Sequence, residues 1–331
     1  MRAPLHRVIA VDRALELGAR PWLMGVVNAS PDSFSDGGRY RGLSERAELA
    51  RELTAAGADI LDIGGESATT GRPAVGVEEE IERVVPLIEC VAGDLDDDLY
   101  HPGSAHPHSD HADPTRKDRP CPVISVDTYK PAVARAAIAA GARIVNDVSG
   151  LRDPALAEVC AETGAALVVM HTAAAPRERR QDPALYGDVV EEVLAFLGER
   201  VAVALEAGVA REQLIVDPGP DFAKTPAQTI ELLAHTERLH ELGLPLLMAI
   251  SRKDFIGALT GRPPRERLAG TLAALAHGLD AGAHVFRVHD VAAAADFLAV
   301  RAALAGEWRP QRDLHLAEEL RHDQVVWGQM P

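Results

Sequence analysis

Hydrophobic positions fall along this chain in short runs that stop abruptly, each followed by a small polar loop and then by a longer amphipathic stretch. Residues 22–27 carry almost no polarity and break off at Asn28, after which Ser30, Pro31, Asp32, Ser33, Asp36, Gly37 and Gly38 shape a polar loop. The arrangement recurs at 58–63, 122–126, 142–145, 166–169, 214–216, 245–250 and 284–286. Runs this short, bounded by glycine and proline, read as buried strands, and the stretches between them carry apolar residues at helical spacing. The first of these stretches starts at Ser44, turns Glu45, Glu48 and Glu52 outward and Ala47, Ala50 and Leu53 inward, and stops at Gly57. The others are predicted at about 77–89, 131–140, 154–163, 183–207, up to 242, 265–281 and 291–304.

Eight strand-then-helix units in one chain predict an α/β fold, a single-domain (β/α)8 barrel of the TIM-barrel class over residues 21–304. Residues 1–20 alternate in polarity and predict a cap or hairpin that closes the bottom of the barrel. Residues 305–331 predict a charged tail that folds back as a short helix near 314–320. Residues 91–120 interrupt the rhythm with Asp94, Asp96, Asp97 and Asp98, then Pro102, Gly103 and Pro107 among His101, His106, His108 and His111. Low hydrophobicity and many breakers predict a disordered insertion there, between a helix and the next strand and so on the bottom rim; a histidine-rich tract also binds metals adventitiously.

Loops that follow the strands of a parallel barrel share one rim, and that rim carries the active site. Here the strand ends deliver Asn28, Asp62, Asp127, Asn146, Asp217, Lys253, Arg287 and His289. One such residue alone most often caps a helix or pairs with an arginine. A full set above apolar strand bodies points to a binding site. Asp127, Asn146, Asp217 and Lys253 mix acceptors with donors and suit the edge of a flat heterocycle bearing amine and amide groups. Asn28, Arg287 and His289, with the N–H groups of the Gly64-Gly65 and Gly37-Gly38 turns, suit phosphate or diphosphate. The three-histidine, one-carboxylate pattern of a zinc hydrolase is missing, whereas Asn28 as a single oxygen ligand fits Mg²⁺, which keeps its waters and is shared with a substrate phosphate.

Formal charge is −16, from 50 acids against 34 lysines and arginines, with no basic tail. Nucleic acid is therefore not expected as a partner, and an anionic substrate must be met by local bases and backbone N–H groups. Three widely spaced cysteines, Cys90, Cys121 and Cys160, suggest neither a disulfide framework nor a cysteine zinc site. Without a long apolar run or a signal-peptide core, the expectation is a soluble cytoplasmic protein with no membrane partner.

Several strings, in order, carry a family resemblance: Asn28-Ala-Ser-Pro-Asp-Ser-Phe-Ser-Asp-Gly-Gly38, Asp62-Ile-Gly-Gly-Glu-Ser67, Ser125-Val-Asp-Thr-Tyr-Lys130, Asn146-Asp-Val-Ser-Gly150, Met170-His171, Asp217-Pro-Gly219 with Phe222-Ala-Lys224, Ser251-Arg-Lys253 and Arg287-Val-His-Asp-Val291. Over roughly residues 22–300 the chain resembles the dihydropteroate synthases, barrels that condense 6-hydroxymethyl-7,8-dihydropterin diphosphate with 4-aminobenzoate to 7,8-dihydropteroate and diphosphate. The resemblance implies a pterin pocket of Asp127, Asn146, Asp217 and Lys253 lined by Met170 and Phe222, with Ser251 and Lys253 beside the aminobenzoate channel. It implies an Mg²⁺-diphosphate site at Asn28, Arg287 and His289, and catalytic roles for Asp127, Asp217, Lys253, Arg287 and His289. It also implies a homodimer. A related methyltetrahydrofolate-dependent methyltransferase, or a catalytically silent paralogue that only binds, is the alternative.

The second loop departs from the family, which has Thr-Arg-Pro-Gly where this chain has Ala68-Thr69-Thr70-Gly71 followed by Arg72. Thr69 is expected to supply a hydroxyl to substrate. Arg72, freed by Gly71, is expected to replace the missing arginine.

Overall fold

The computed structural model describes residues 3–29, 42–66, 74–96, 121–309, 314 and 316. Its first element is an antiparallel hairpin of β1 (His6–Ala10) and β2 (Arg13–Leu17). The turn places Val11 at φ 59°, an unusual angle for a β-branched residue, and the Val11 N–H is held by the Gly164 carbonyl at 2.7 Å. Alternation along the hairpin buries Val8, Ala10, Leu15 and Leu17, which join Trp22, Ile60, Val123, Ile144, Ile215 and Val285 near the strand starts in one apolar cluster. The N-terminal segment is thus a hairpin that plugs the bottom of the barrel.

The barrel follows as β3 (Trp22–Asn28), α1 (Leu43–Ala55), β4 (Ile60–Gly64), α2 (Val77–Asp96), β5 (Val123–Asp127), α3 (Pro131–Ala140), β6 (Ile144–Asp147), α4 (Ala155–Thr163), β7 (Ala166–Met170), α5 (Val189–Glu206), β8 (Leu214–Asp217), α6 (Pro226–Ala234), β9 (Leu247–Met248), α7 (Asp254–Thr260), α8 (Leu268–Asp280), β10 (Val285–Val288) and α9 (Val291–Leu304). All eight strands from β3 onward pair in parallel, in the order β8-β7-β6-β5-β4-β3-β10-β9. A parallel bridge from Val216 to Leu246, with the Val216 N–H on the Pro245 carbonyl at 3.0 Å, links β8 to the segment entering β9 and closes the ring. The (β/α)8 barrel is therefore present, and every strand delivers its C-terminal end to one rim.

Several boundaries depart from the sequence expectation for local reasons. The strand expected over 245–250 shrinks to two residues because Leu246 bonds sideways: its N–H donates to Nδ1 of buried His284 at 3.0 Å, and its carbonyl accepts from His284 and Val285. The fifth helix starts at Val189, six residues late, where Asp188 accepts the N–H groups of Val190 and Glu191. The sixth is capped by Thr225 and gives way to a tighter 3-10 turn at Thr236–Leu242. An extra short helix, α7, precedes the expected one and ends at Gly261 with φ 69°. The second helix runs past position 89 to Asp96 despite Pro86, and Arg51 holds Asp94 in its last turn at 2.8 Å. The expected insertion therefore cannot begin at 91; its remainder, 97–120, lies outside the described residues.

The chain divides into two compact units, residues 1–295 and 296–331. The first holds the hairpin and barrel. The second holds the later part of α9 and its end at Leu304, followed by Gly306 at φ 72°. Leu314 and Leu316 are exposed, and the rest of the helix expected near 314–320 lies outside the described residues. Among the described residues no helix is long and apolar enough to cross a membrane.

Candidate active site

Asp62, in the middle of β4, points into the barrel and is fully buried. Its Oδ1 accepts from the Ser125 hydroxyl at 2.6 Å, and its Oδ2 accepts from Asn146 Nδ2 at 3.1 Å and Arg287 Nε at 2.7 Å. Arg287 also donates through Nη2 to Asp127 Oδ2 at 2.9 Å. Strand ends from β4, β5, β6 and β10 thus share one connected network, as buried charge requires. Burial works against the guanidinium charge, yet Asp62 and Asp127 outweigh it and hold the Arg287 pKa above its usual value. Burial raises Asp127; Arg287 offsets part of that, while Asp62, Glu80 and Asp147 add to it. The sequence grouped Arg287 with Asn28 and His289, whereas the fold turns its guanidinium onto the acids, so the two expected sub-sites share it.

Asp217 ends β8 almost wholly buried, and its Oδ1 accepts the Gly219 N–H at 2.7 Å. Burial pushes it up to about 6, against the help of that N–H and the positive charges of Lys253, Lys224 and Arg287. Lys253 Nζ stands 4.4 Å from the centre of the Phe222 ring, a cation–π distance. Burial lowers the Lys253 pKa, while Asp221 and Asp217 support its charge. Buried Met170 packs beneath Gly219, where a Cβ would run into the His171 carbonyl, so at φ 64° only glycine fits. Asp217, Lys253, Phe222 and Met170 are therefore brought together at the end of β8.

His289 and Ser251 form a third group: the Ser251 Oγ accepts the His289 N–H at 3.2 Å and lies 3.0 Å from Nδ1. Burial, then Arg287 and Arg252, lowers His289 to about 3. Both influences favour the neutral form of its imidazole. Asn28 is the last residue of β3, half-buried, with its backbone paired to Gly64. Among the described residues no three His, Cys, Asp or Glu side chains gather as a metal site. Thr69 and Arg72 lie outside the described residues, as do Gly37 and Gly38.

Two further clusters were not singled out from the sequence. Lys130 Nζ donates to Glu66 at 2.6 Å, to the Val75 carbonyl at 2.8 Å and to Glu80, while Arg177 reaches the other Glu66 oxygen at 2.6 Å. Glu66 precedes and Val75 follows the altered second loop, so one ammonium ties both its flanks. Burial would raise the Glu66 pKa, but Lys130 and Arg177 hold it below the usual carboxylate value. Deeper in the rim, fully buried Lys224 donates to the carbonyls of Gly219 and Phe222 at 2.9 and 3.1 Å and to His171 Nδ1 at 2.8 Å, stitching the loop after β8 into shape. Burial lowers Lys224 to about 7, and burial with Lys224 lowers His171 to about 2. The signal available for Glu66, Lys130 and Lys224 was their place inside the strings 62–67, 125–130 and 217–224.

The chain matches the family of pterin binding enzymes over residues 24–99 and 115–289. It is 38% identical over 285 residues to the dihydropteroate synthase of Escherichia coli K12, covering 86% of this chain and 92% of that enzyme. It is 42% identical over 276 residues to a probable bifunctional folylpolyglutamate synthase/dihydropteroate synthase of Haloferax volcanii; that match takes in 82% of this chain but spans only 30% of the longer protein. Among solved structures, the Xanthomonas albilineans dihydropteroate synthase with 4-aminobenzoic acid superposes with a TM-score of 0.76 at 41% identity, covering 91% of this chain and 99% of that one.

Proposed function

The chain belongs to the pterin-binding enzymes, among the dihydropteroate synthases, and from that premise we propose how its rim residues divide the reaction. The enzyme condenses 6-hydroxymethyl-7,8-dihydropterin diphosphate with 4-aminobenzoate to give 7,8-dihydropteroate and diphosphate. Asp217, Asp127 and Asn146 take the amine and amide edge of the pterin, and Lys253 with Phe222 and Met170 bounds the pocket. The observation that carries this assignment is the buried Asp62–Asn146–Asp127–Arg287 network beside Asp217. It offers acceptors in quantity for the N–H donors of a flat ring.

That chemistry suits a dissociative displacement. The bond from the pterin methylene to the diphosphate oxygen breaks with its electron pair leaving on diphosphate, and the cation left on the methylene is spread into the ring, where Asp217 and Asp127 oppose it. The neutral aromatic amine forms the new carbon–nitrogen bond and loses its proton to solvent. No base is needed before attack. Arg287, held between Asp62 and Asp127, stands where the pterin and diphosphate regions meet. His289 donates a neutral hydrogen bond to the leaving group, Ser251 with Lys253 flanks the aminobenzoate, and Thr69 and Arg72 contact the substrates from the second loop.

Asn28 contributes one neutral oxygen, and among the described residues no cluster of carboxylates or histidines gathers as a metal site, a donor set that fits an Mg²⁺ arriving on the diphosphate better than a resident ion. When bound, that ion supplies positive charge to the departing diphosphate. The cysteine usage is in keeping with a cytoplasmic protein, and the family resemblance supports a homodimer as the working form. Diphosphate release by purified protein, dependent on both substrates, tests the proposal. No release from the unmodified protein would overturn it.

A further inference from the structure

Asp221 lies in the loop after β8 with φ 66°, in the left-handed region that glycine adopts without strain and other residues seldom do. Three contacts hold it there. Its N–H donates to Thr229 Oγ1 at 3.1 Å, its Oδ1 accepts from the same hydroxyl at 3.1 Å, and its Oδ2 accepts the N–H of Asp254, the first residue of α7. Asp254 directly follows Lys253. On the other side of that segment, Arg267 Nη1 donates to the carbonyls of Arg252 and Lys253 at 2.9 and 3.1 Å, and Arg252, itself at φ 59°, is locked to Asp290 at 2.8 Å. The turn that presents Lys253 is gripped by its carbonyls from one side and by its following N–H from the other. The second grip is the Asp221 carboxylate.

We propose that Asp221 is a positioning residue of the pterin site: seated on the first amide of α7 and on the Thr229 hydroxyl, its carboxylate fixes the turn that presents Lys253 and supplies that ammonium with a counter-charge. The proposal rests on Lys253 being a pterin contact. The groups acting on Lys253 are Asp217 at the end of β8, Asp221 in the loop after it, Asp254 on α7 and Arg287 on β10. Lys224 and His289 respond to Lys253 in turn. Among the three acids, Asp221 supports the lysine charge most, ahead of Asp217, although burial remains the largest influence and lowers its pKa.

The test compares Asp221→Asn and Asp221→Gly with the unmodified enzyme, using 6-hydroxymethyl-7,8-dihydropterin diphosphate and 4-aminobenzoate across the alkaline range. Glycine accepts the backbone angle freely, so its defect reports the lost carboxylate and not strain. Asparagine keeps an acceptor for the Asp254 N–H without the charge. The KM for the pterin diphosphate should rise about tenfold in the glycine variant and less in the asparagine variant, as the loss of one charge-assisted bond requires. In both, the alkaline limb of kcat/KM should move to lower pH by about half a unit or more, because Lys253 loses its proton more readily. A structural role alone would leave that limb in place, and an unmoved limb in a folded Asp221→Asn enzyme overturns the proposal. Lys253→Met separates the premise from the inference. If it keeps the normal KM, the pterin-site reading has failed; if it is impaired while the Asp221→Asn limb stays put, only the role of Asp221 has failed.

Discussion

Replacing Asp217 by asparagine should make the protein more stable and unable to bind its pterin substrate. The carboxyl titrates at about 6 in the fold against 3.8 for an unburied group, chiefly because burial denies the anion its water. About two units at ~1.4 kcal/mol each is a charging cost of roughly 3 kcal/mol. An amide avoids it while its oxygen still accepts the Gly219 N–H, but Lys253, Lys224 and Arg287 lose a counter-charge. A net gain of about 1–2 kcal/mol at neutral pH is therefore expected, a rise in Tm of about 1.5–3 °C for a chain of this size. The sign with pH follows from linkage. A folded pKa above the unfolded one means that protonation favours folding below about pH 4, and that this contribution is lost as pH rises through about 6. The advantage of the asparagine variant should thus be absent near pH 4, grow through pH 5 and level off by about pH 7. Thermal unfolding at several pH values measures it, and calorimetry with the pterin diphosphate should show no binding, because the amide presents a donor where the ring also presents donors. A lower Tm at neutral pH, or a difference independent of pH, would refute the account of Asp217 as a carboxylate kept at a cost to stability.

Two further outcomes follow from the loops. Arg72→Ala should lower kcat by roughly ten- to a hundredfold with little change in pterin diphosphate affinity, since a contact that orders a loop over a leaving group counts most in the transition state; steady-state kinetics near normal would show that Arg72 does not replace the family's arginine. Deleting residues 99–118 and joining the ends through a short glycine linker should keep turnover within about a few-fold, because in sequence they connect a helix to the next strand and are not one of the loops that follow the strands, and the deletion spares α2 and its Arg51–Asp94 pair. A large loss of activity in a folded deletion variant would give that histidine-rich stretch a role.

The barrel was legible because its signal is local. Each strand is an apolar run cut off by glycine, proline or a polar residue, and the residue at the cut stands on the functional rim, as with Asp127, Asn146 and Asp217. The partner of each rim residue was not legible. Arg287 and Asp62 lie 225 positions apart, and nothing in either string says that the guanidinium turns to Asp62 and Asp127. Lys224 escaped notice for another reason: lysine is ordinarily a surface residue, and its partners here are two carbonyls and a neutral imidazole, none of which marks a buried cation in sequence. The short α7 was not predicted, and the contact at its start, the Asp221 carboxylate on the Asp254 N–H, joins residues 33 positions apart.

The rim has one electrostatic character. Burial raises Asp127 and Asp217 and lowers Lys224, Lys253 and His289, so every one of these groups is pushed toward its uncharged form. The charges that persist do so through paired contacts, Arg287 on two acids and Glu66 between Lys130 and Arg177. A site of this kind is short of hydration, and a flat ring that brings N–H donors to Asp217 and Asp127 returns what burial removed. Binding the proposed pterin edge would then lower the cost of both carboxylates while it orients the reacting methylene. In the proposed pose these anions hold the amine and amide edge of the ring, and the positive charge that spreads into the ring when diphosphate departs would strengthen that interaction along the reaction, as differential binding requires. A carboxylate that is costly in the free protein is for that reason suited to the place of Asp217, because the cost of its charge is offset only when the donors of the ring arrive.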